Sequence, residues 1–172
     1  MNGYNYSDEH FDQLKTTSLE WRAPALWGLL PESQSDVSQV LTIKAPPSPE
    51  YAGVQTFVHA IETLYWMHGT PNWDLDLERF VLATEKYDQY RATHPSRQGH
   101  TLWAMLRAAR RDGFTDRRSE RLRPSLHHYH LDYPDAVLEF LHAGMGPVII
   151  VLPNTQVEQY MGCIVAFKGR DV

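Results

Sequence analysis

The chain has 172 residues, a formal net charge of −5, 42% hydrophobic residues and 22% charged residues, which is typical of one globular domain and excludes disorder of the chain as a whole. Its longest apolar run, residues 147–153, is too short to cross a bilayer, and its N-terminus lacks the basic start and apolar core of a secretory signal. The single cysteine, Cys163, excludes an internal disulfide framework.

The first 48 residues predict an irregular N-terminal arm that wraps over a core. Large apolar residues such as Trp21 and Trp27 stand there among prolines and glycine. Residues 37–43 predict a short strand within the arm, because apolar residues recur on one face. The proline-rich residues 45–49 break the chain, and we expect the main domain to cover residues 49–172.

A long helix over residues 49–68 is the clearest element of the sequence. Ser48 is a good N-cap, Pro49 suits the first helical position, and apolar residues that include Phe57 and Ile61 follow one helical face. We therefore expect this helix to be the central element of the core.

The spacing of apolar residues predicts three shorter helices after the long one. One starts near Asp74 or Asp76, one covers residues 101–112, and one covers residues 133–143. A glycine directly follows each of the last two, as is common at helix C-termini.

The C-terminal part predicts two strands, residues 148–152 and residues 163–167, joined by a short return loop that favours antiparallel pairing. Residues 148–152 are apolar at every position, so we expect another layer against each face of this strand. Helices first and strands last predict an α+β fold, with a helical lobe and long central helix packed on a small, incomplete antiparallel sheet. We expect the strand at residues 37–43 or a neighbouring subunit to complete that sheet.

The basic residues are concentrated in one segment. Residues 97–123 contain eight of the sixteen basic residues and three of the twenty-one acidic ones. Acidic residues alternate with the arginines and few aromatic residues lie between them, which favours a solvated loop or a salt-bridged protein contact over nucleic-acid binding. The candidate contact residues for a partner protein are Arg117, Arg118, Arg121 and Arg123, together with Cys163, Val165 and Phe167 of the last strand.

Other reactive side chains do not assemble into a recognisable site. His127, His128 and His130 are adjacent in a predicted loop and would point in different directions, which favours a solvated, pH-sensitive loop over a zinc site. His59 and Glu62 lie one helical turn apart and predict a partly exposed helix face. We interpret Cys163 as a buried, inert thiol, and we expect no metal and no cofactor.

Four stretches of the sequence, in order, resemble the papain-like cysteine peptidases. Residues 52–62, AGVQTFVHAIE, are similar to the start of that family's central helix, and residues 99–106, GHTLWAML, are similar to its second helical landmark. Residues 137–151 and the later YMGCIV of residues 160–165 look like the beginning of its β-rich lobe. The resemblance implies a truncated papain-like fold.

The departures from the family pattern concern its catalytic groups. Val54 stands where the family has its nucleophilic cysteine, and an aliphatic side chain cannot attack a carbonyl. Residues 45–53 contain no glutamine for an oxyanion hole, and the sequence ends before the region where the family has its catalytic histidine. The resemblance therefore implies a pseudoenzyme.

The leading hypothesis is a non-catalytic structural or interaction protein on a degenerate papain-like fold, with other protein subunits as partners. Because small inactive enzymes are reused as structural parts in bacteriophage particles, we expect a virion subunit, located in the virion or the cytoplasm and not associated with a membrane. The alternatives are a regulatory pseudo-peptidase that binds a partner at a groove beside Val54, and an enzyme with an unrecognised mechanism.

Overall fold

A computed structural model describes residues 8–22, 51–67, 73–88, 100–152 and 160–164. In these ranges the chain forms helices and short antiparallel strands, as the predicted α+β class requires. The predicted strand at residues 37–43 and the break at residues 45–49 lie outside the described residues. The elements are α1 (Asp8–Thr16), α2 (Ala52–Met67), α3 (Leu77–Glu85), α4 (Leu102–Arg111), β1 (Phe114–Thr115), β2 (Arg121–Leu122), α5 (Pro134–His142), β3 (Val148–Leu152) and β4 (Tyr160–Ile164).

The four helices predicted after residue 48 are confirmed, although α2 begins at Ala52 and the predicted cap Ser48 and first residue Pro49 lie outside the described residues. Two of the four have side-chain caps. The carboxylate of Asp76 accepts a hydrogen bond from the Arg79 backbone N–H at 3.1 Å, which begins α3. The Thr101 hydroxyl accepts from the Ala104 backbone N–H at 3.3 Å, which begins α4. In both cases a short polar residue satisfies a backbone donor that the helix leaves unpaired.

The first helix corrects the prediction that residues 1–48 are irregular throughout. Helix α1 has mostly polar residues, and its apolar Leu14 is buried in the main core. With so few apolar positions the sequence has little helical periodicity, so tertiary packing stabilises this helix. Trp21 follows it and makes edge contacts with Tyr129 and Phe140, which agrees with an arm that crosses a core.

The main core lies between α2, α3 and α4. Its centre is a group of three stacked rings, Phe57, Phe80 and Phe114, with centroids 4.5–6.4 Å apart and each ring 2% exposed. Ile61 is also buried, so the predicted inward face of the long helix is confirmed.

The C-terminal hairpin pairs β3 with β4 in the predicted antiparallel sense. The register runs from Val148 opposite Ile164 to Leu152 opposite Tyr160. The second strand was predicted at residues 163–167, but β4 begins three residues earlier and its described part ends at Ile164. Val165 and Phe167 lie outside the described residues.

Both faces of β3 are covered, as predicted from its continuous apolar sequence. Ile149 and Val151 pack against the main core. Val148 and Ile150 pack instead in a second cluster, whose buried members include Phe140 and Leu141 of α5. Strand β3 therefore lies between two apolar layers, and successive side chains enter opposite layers because the strand is pleated.

A small hairpin, β1 with β2, follows α4 closely. Gly113 connects α4 to β1 with φ of +74°, and a side chain there would overlap the backbone carbonyl of Leu122. Glycine is needed because it adopts positive φ without steric cost and leaves room for the neighbouring strand.

Candidate functional site

Val54, the degenerate catalytic position of the sequence analysis, lies inside the main core. Its side chain is completely buried in the first turns of α2. It packs there as an aliphatic core residue, and it does not line the cavity described below. The cavity therefore does not open at the groove that the sequence predicts beside Val54.

Members of both hydrophobic clusters line an apolar cavity of about 650 Å³, which we call the slot. Its floor is formed by α2 and α4, which contribute Phe57, Ala60, Ile61 and Leu64 at helical spacing and Leu102 and Leu106 one turn apart. Its volume lies in the range of protein sites that bind small molecules or side chains, roughly 300–1,000 Å³.

The two long walls of the slot are segments of consecutive residues. Residues 145–151 form one wall and residues 126–134 form the other. Since alternate residues of a strand point to opposite faces, a cavity lined by consecutive residues of β3 meets the strand at its edge rather than on one face. Because β4 pairs along one edge of β3, the slot borders the opposite edge, which we call the outer edge.

Helix α1 forms part of the slot, through Phe11 and Leu14, and His128 holds it there. The Nε2 of His128 lies 2.8 Å from the Leu14 carbonyl oxygen, and its Nδ1 lies 2.7 Å from a guanidinium nitrogen of Arg110 in α4. Because a carbonyl only accepts and a guanidinium only donates, His128 is neutral with its proton on Nε2. The Leu19 backbone N–H also donates to the His128 carbonyl oxygen at 2.8 Å.

Two of the three histidines are therefore less exposed than the solvated loop that the sequence predicts. Burial, the largest influence, lowers the pKa of His128, and the neighbouring Arg110 guanidinium lowers it further. His130 pairs with Asp132 at 2.8 Å and contacts the ring of Phe11 edge-on. Only His127 of the three keeps an exposed side chain. In the described part of the chain, no group of three or more ligating side chains could hold a metal ion.

The rim of the slot exposes two large side chains to solvent. Tyr133 is 54% exposed and Met145 is 36% exposed, and both line the slot. Gly146 adjoins Met145 with φ of +146°, in the left-handed region that favours glycine, and lies close to Leu64. Tyr133 and Met145 are thus accessible to solvent, and a substitution of either residue need not disturb the buried core.

The four arginines proposed as partner contacts bind groups of this chain. Arg117 pairs with Asp74 at 3.0 Å, and Arg118 pairs with the buried Asp116 at 2.9 Å and lies over the Trp73 ring. Arg121 and Arg123 both donate to carbonyl oxygens at the C-terminal end of α4. The unpaired carbonyls of a helix C-terminus attract cationic side chains, which explains this arrangement. A partner contact through these arginines stays a prediction.

The remaining reactive residues do not meet at one site. Glu62 is buried and accepts a hydrogen bond from the Leu75 backbone N–H at 3.3 Å, so the predicted partly exposed face is wrong for this residue. The peptide group of Cys163 pairs opposite Ile149 in the hairpin. Glu62 is not among the residues that line the slot.

A buried acid–histidine pair, His100 with Asp88, was not predicted from the sequence. His100 Nδ1 lies 2.7 Å from a carboxylate oxygen of Asp88, both side chains are 1% exposed or less, and the Tyr51 ring stacks on the imidazole. Such a pair resembles catalytic dyads, but no substrate reaches groups so completely enclosed. We assign the pair a structural role, because it connects the chain after α3 to the start of α4.

No family model, curated protein or solved structure matches this chain. The papain-like relationship therefore stays a prediction from the sequence. Within the described ranges, none of the helices has the length and apolar character needed to cross a membrane.

Proposed function

We propose that this protein is a non-catalytic interaction protein, built on a degenerate papain-like fold, that binds a partner protein through the slot. The observation that supports this most is the slot itself: an apolar cavity of about 650 Å³ with two exposed apolar rim residues. A large apolar cavity with an accessible mouth is the usual form of a binding site. Exposed apolar side chains at such a mouth mark surfaces that become covered.

The absence of catalysis is proposed from the positions of the candidate groups. Val54 replaces the nucleophile of the papain-like pattern and is enclosed in the core. The His100–Asp88 pair is enclosed as well, and His128 has both ring nitrogens engaged by Arg110 and Leu14. A nucleophile needs an adjacent base within hydrogen-bond reach, and these residues do not supply such a pair.

Both biological roles expected from the sequence, virion subunit and regulatory pseudo-peptidase, require that the slot binds another protein. A virion subunit would hold a neighbouring subunit, and a regulatory pseudo-peptidase would hold the enzyme it modulates. The virion setting is the one we propose, on the sequence resemblance alone, and none of the contacts above depends on it.

Selection from a peptide display library tests binding through the slot. The bait proteins are the wild type, the rim variant Met145→Glu and the control Leu82→Glu, which changes an exposed leucine (63%) on α3 outside the slot. We expect the wild type and Leu82→Glu to enrich the same peptides and Met145→Glu to lose them. Enrichment that is identical on all three proteins, or no enrichment on the wild type, would contradict slot binding.

Peptide hydrolysis tests the non-catalytic part of the proposal. We expect no cleavage of a fluorogenic peptide mixture by the wild type, and the same result for Cys163→Ser. Cleavage by the wild type that iodoacetamide abolishes and that Cys163→Ser lacks would show a working thiol and refute the pseudoenzyme proposal.

A further inference from the structure

We infer that the slot takes an extended, apolar segment of the partner protein as an added strand along the outer edge of β3. This inference rests on the proposed function and names the ligand class for it. The ligand is a stretch of about five residues in which every position is apolar.

The backbone of β3 favours a strand as the ligand. In an antiparallel pair, alternate residues direct their N–H and C=O groups toward the partner strand, and the residues between them direct theirs to the other side. Among the described residues β4 is the strand paired with β3, so the second set of groups points to the outer edge, where the slot lies. A row of N–H and C=O groups beside a cavity favours a peptide backbone as its ligand.

The side chains on either side of that edge favour a continuously apolar segment. The slot is bordered by Phe57 and Ile61 of the main core on one side and by Val137 and Phe140 of the second cluster on the other. An added strand would direct alternate side chains into these two apolar layers, as β3 itself does with Ile149 and Ile150. The fitting sequence is therefore continuously apolar, unlike the alternating pattern of a strand on a half-exposed sheet.

The size of the slot favours a single extended segment over a second copy of this protein. Phe11 and Leu14 of α1 line the slot, and the hydrogen bond between His128 and the Leu14 carbonyl holds α1 there. A folded sheet edge brings its own neighbouring strands and helices and cannot enter a cavity of about 650 Å³. One extended segment can, since it needs only a strand spacing of about 4.8 Å from β3.

The rim adds little selectivity for charge. Lys15 and His130 both approach Asp132, at 3.9 Å and 2.8 Å, so charges of both signs are balanced at this end of the slot. We therefore expect recognition to depend on the apolar segment and its backbone, with a weak dependence on salt.

Fluorescence anisotropy with two synthetic peptides tests strand addition. The first probe is a fluorescein-labelled peptide with five alternating valines and isoleucines between pairs of lysines. The second has the same sequence with N-methyl groups on two adjacent central residues, which blocks hydrogen bonding at both strand edges and retains the side chains. We expect the full-length protein to bind the first peptide at least about tenfold more tightly than the second.

Protein variants locate the binding event. Met145→Glu, shown to be folded by an unchanged circular dichroism spectrum and melting temperature, should weaken binding of the first peptide about tenfold or more. Leu82→Glu should leave it unchanged. Loss of binding by both variants equally would mean that the peptide does not use the slot.

The outcomes separate this inference from the proposed function. Equal binding of both peptides would refute strand addition while leaving apolar binding in the slot intact. Binding that appears only after residues 37–43 are replaced by glycine and serine would show that the chain's own segment occupies the slot, and would refute the partner strand. Binding of neither peptide to any of these proteins would refute strand addition, and the display selection would then decide the proposed function alone.

Discussion

The two hydrophobic clusters that flank β3 differ in how completely they close. The main core surrounds the stacked rings of Phe57, Phe80 and Phe114, and several of its members, among them Val54 and Met105, are fully buried. The buried members of the second cluster are Phe140, Leu141 and Val148, each 7–8% exposed. The slot lies between them, so one side of β3 faces a packed interior and the other faces a thin layer beside a cavity.

This difference suggests a division of roles. Close packing of large side chains supplies most of the folding free energy, and it leaves no space for a ligand. A thin layer contributes less and can open at its edge, as ligand-binding regions usually do. The main core should therefore determine the stability of the protein, and the second cluster, which borders the slot together with Phe57 and Ile61 of the main core, should contribute mainly to binding.

The same truncation in the two clusters tests this division most strongly. Phe80→Ala should lower the free energy of unfolding by about 3–5 kcal/mol, because it removes the central ring of a closed stack. Phe140→Ala should cost clearly less, since its ring borders the slot and its loss enlarges an existing cavity. Urea unfolding of both variants measures the difference. Equal losses would show that the two clusters are equally well packed.

Gly113→Ala should be the next largest effect. Positive φ alone costs an alanine about 1–2 kcal/mol, and the overlap with the Leu122 carbonyl adds to this because the backbone must move. Gly144→Ala is the matched control, since it has φ of +67° and open space around the position of the new methyl group. In thermal unfolding, the melting temperature of Gly113→Ala should be well below that of Gly144→Ala. Similar melting temperatures for the two variants would mean that β2 does not pack on Gly113.

Acid should weaken the attachment of α1 through His128. Its pKa in the folded protein lies below the usual 6.5, so the unfolded chain takes up this proton first as the pH falls. His128 therefore contributes stability above about pH 6.5 that is lost progressively below it. Besides Arg110 and the Leu14 carbonyl, the groups that face it are His127 and His130 of its own segment.

The non-titrating variant His128→Gln isolates this contribution. Stability of the wild type should fall more steeply than that of His128→Gln between pH 7 and pH 5, with the two measured by chemical unfolding at matched ionic strength. Parallel pH profiles would contradict the assigned hydrogen bonds of His128.

The rim substitution should have the smallest effect on folding. Met145→Glu and Leu82→Glu both change exposed apolar side chains, and each should alter the free energy of unfolding by no more than about 0.5 kcal/mol. Thermal and urea unfolding measure this directly. A large loss for Met145→Glu would mean that the slot rim supports the fold, and peptide binding would then need a milder substitution.

Elements governed by local sequence were predictable, and those that depend on distant contacts were not. The helices at α2, α3 and α4 follow from apolar spacing and, in α3 and α4, from the capping residues Asp76 and Thr101. The cover on both faces of β3 follows from its continuous apolar sequence. In contrast, α1 depends on Leu14 reaching the core and on a hydrogen bond from His128, 114 positions later.

The site itself lay beyond sequence reasoning for the same reason. Its lining comes from α1, α2, α4, α5 and β3 and from residues 126–134, which only the fold brings together. Charge patterning indicated Arg117 and Arg118, but the structure engages both with nearby aspartates. The adjacent histidines suggested solvent exposure because nothing local shows that Arg110 and Leu14 enclose His128.

Hydrogen exchange at the backbone amides of β3, followed by nuclear magnetic resonance, tests the central claim most directly. In the free protein, the amides of residues 148–152 that bond to β4 should exchange slowly, and those on the outer edge should exchange quickly. Adding the valine–isoleucine peptide should slow the outer-edge amides, and adding its N-methylated form should not. Outer-edge amides that are already protected in the free protein, or that the peptide leaves unchanged, would contradict the claim that β3 accepts a partner strand.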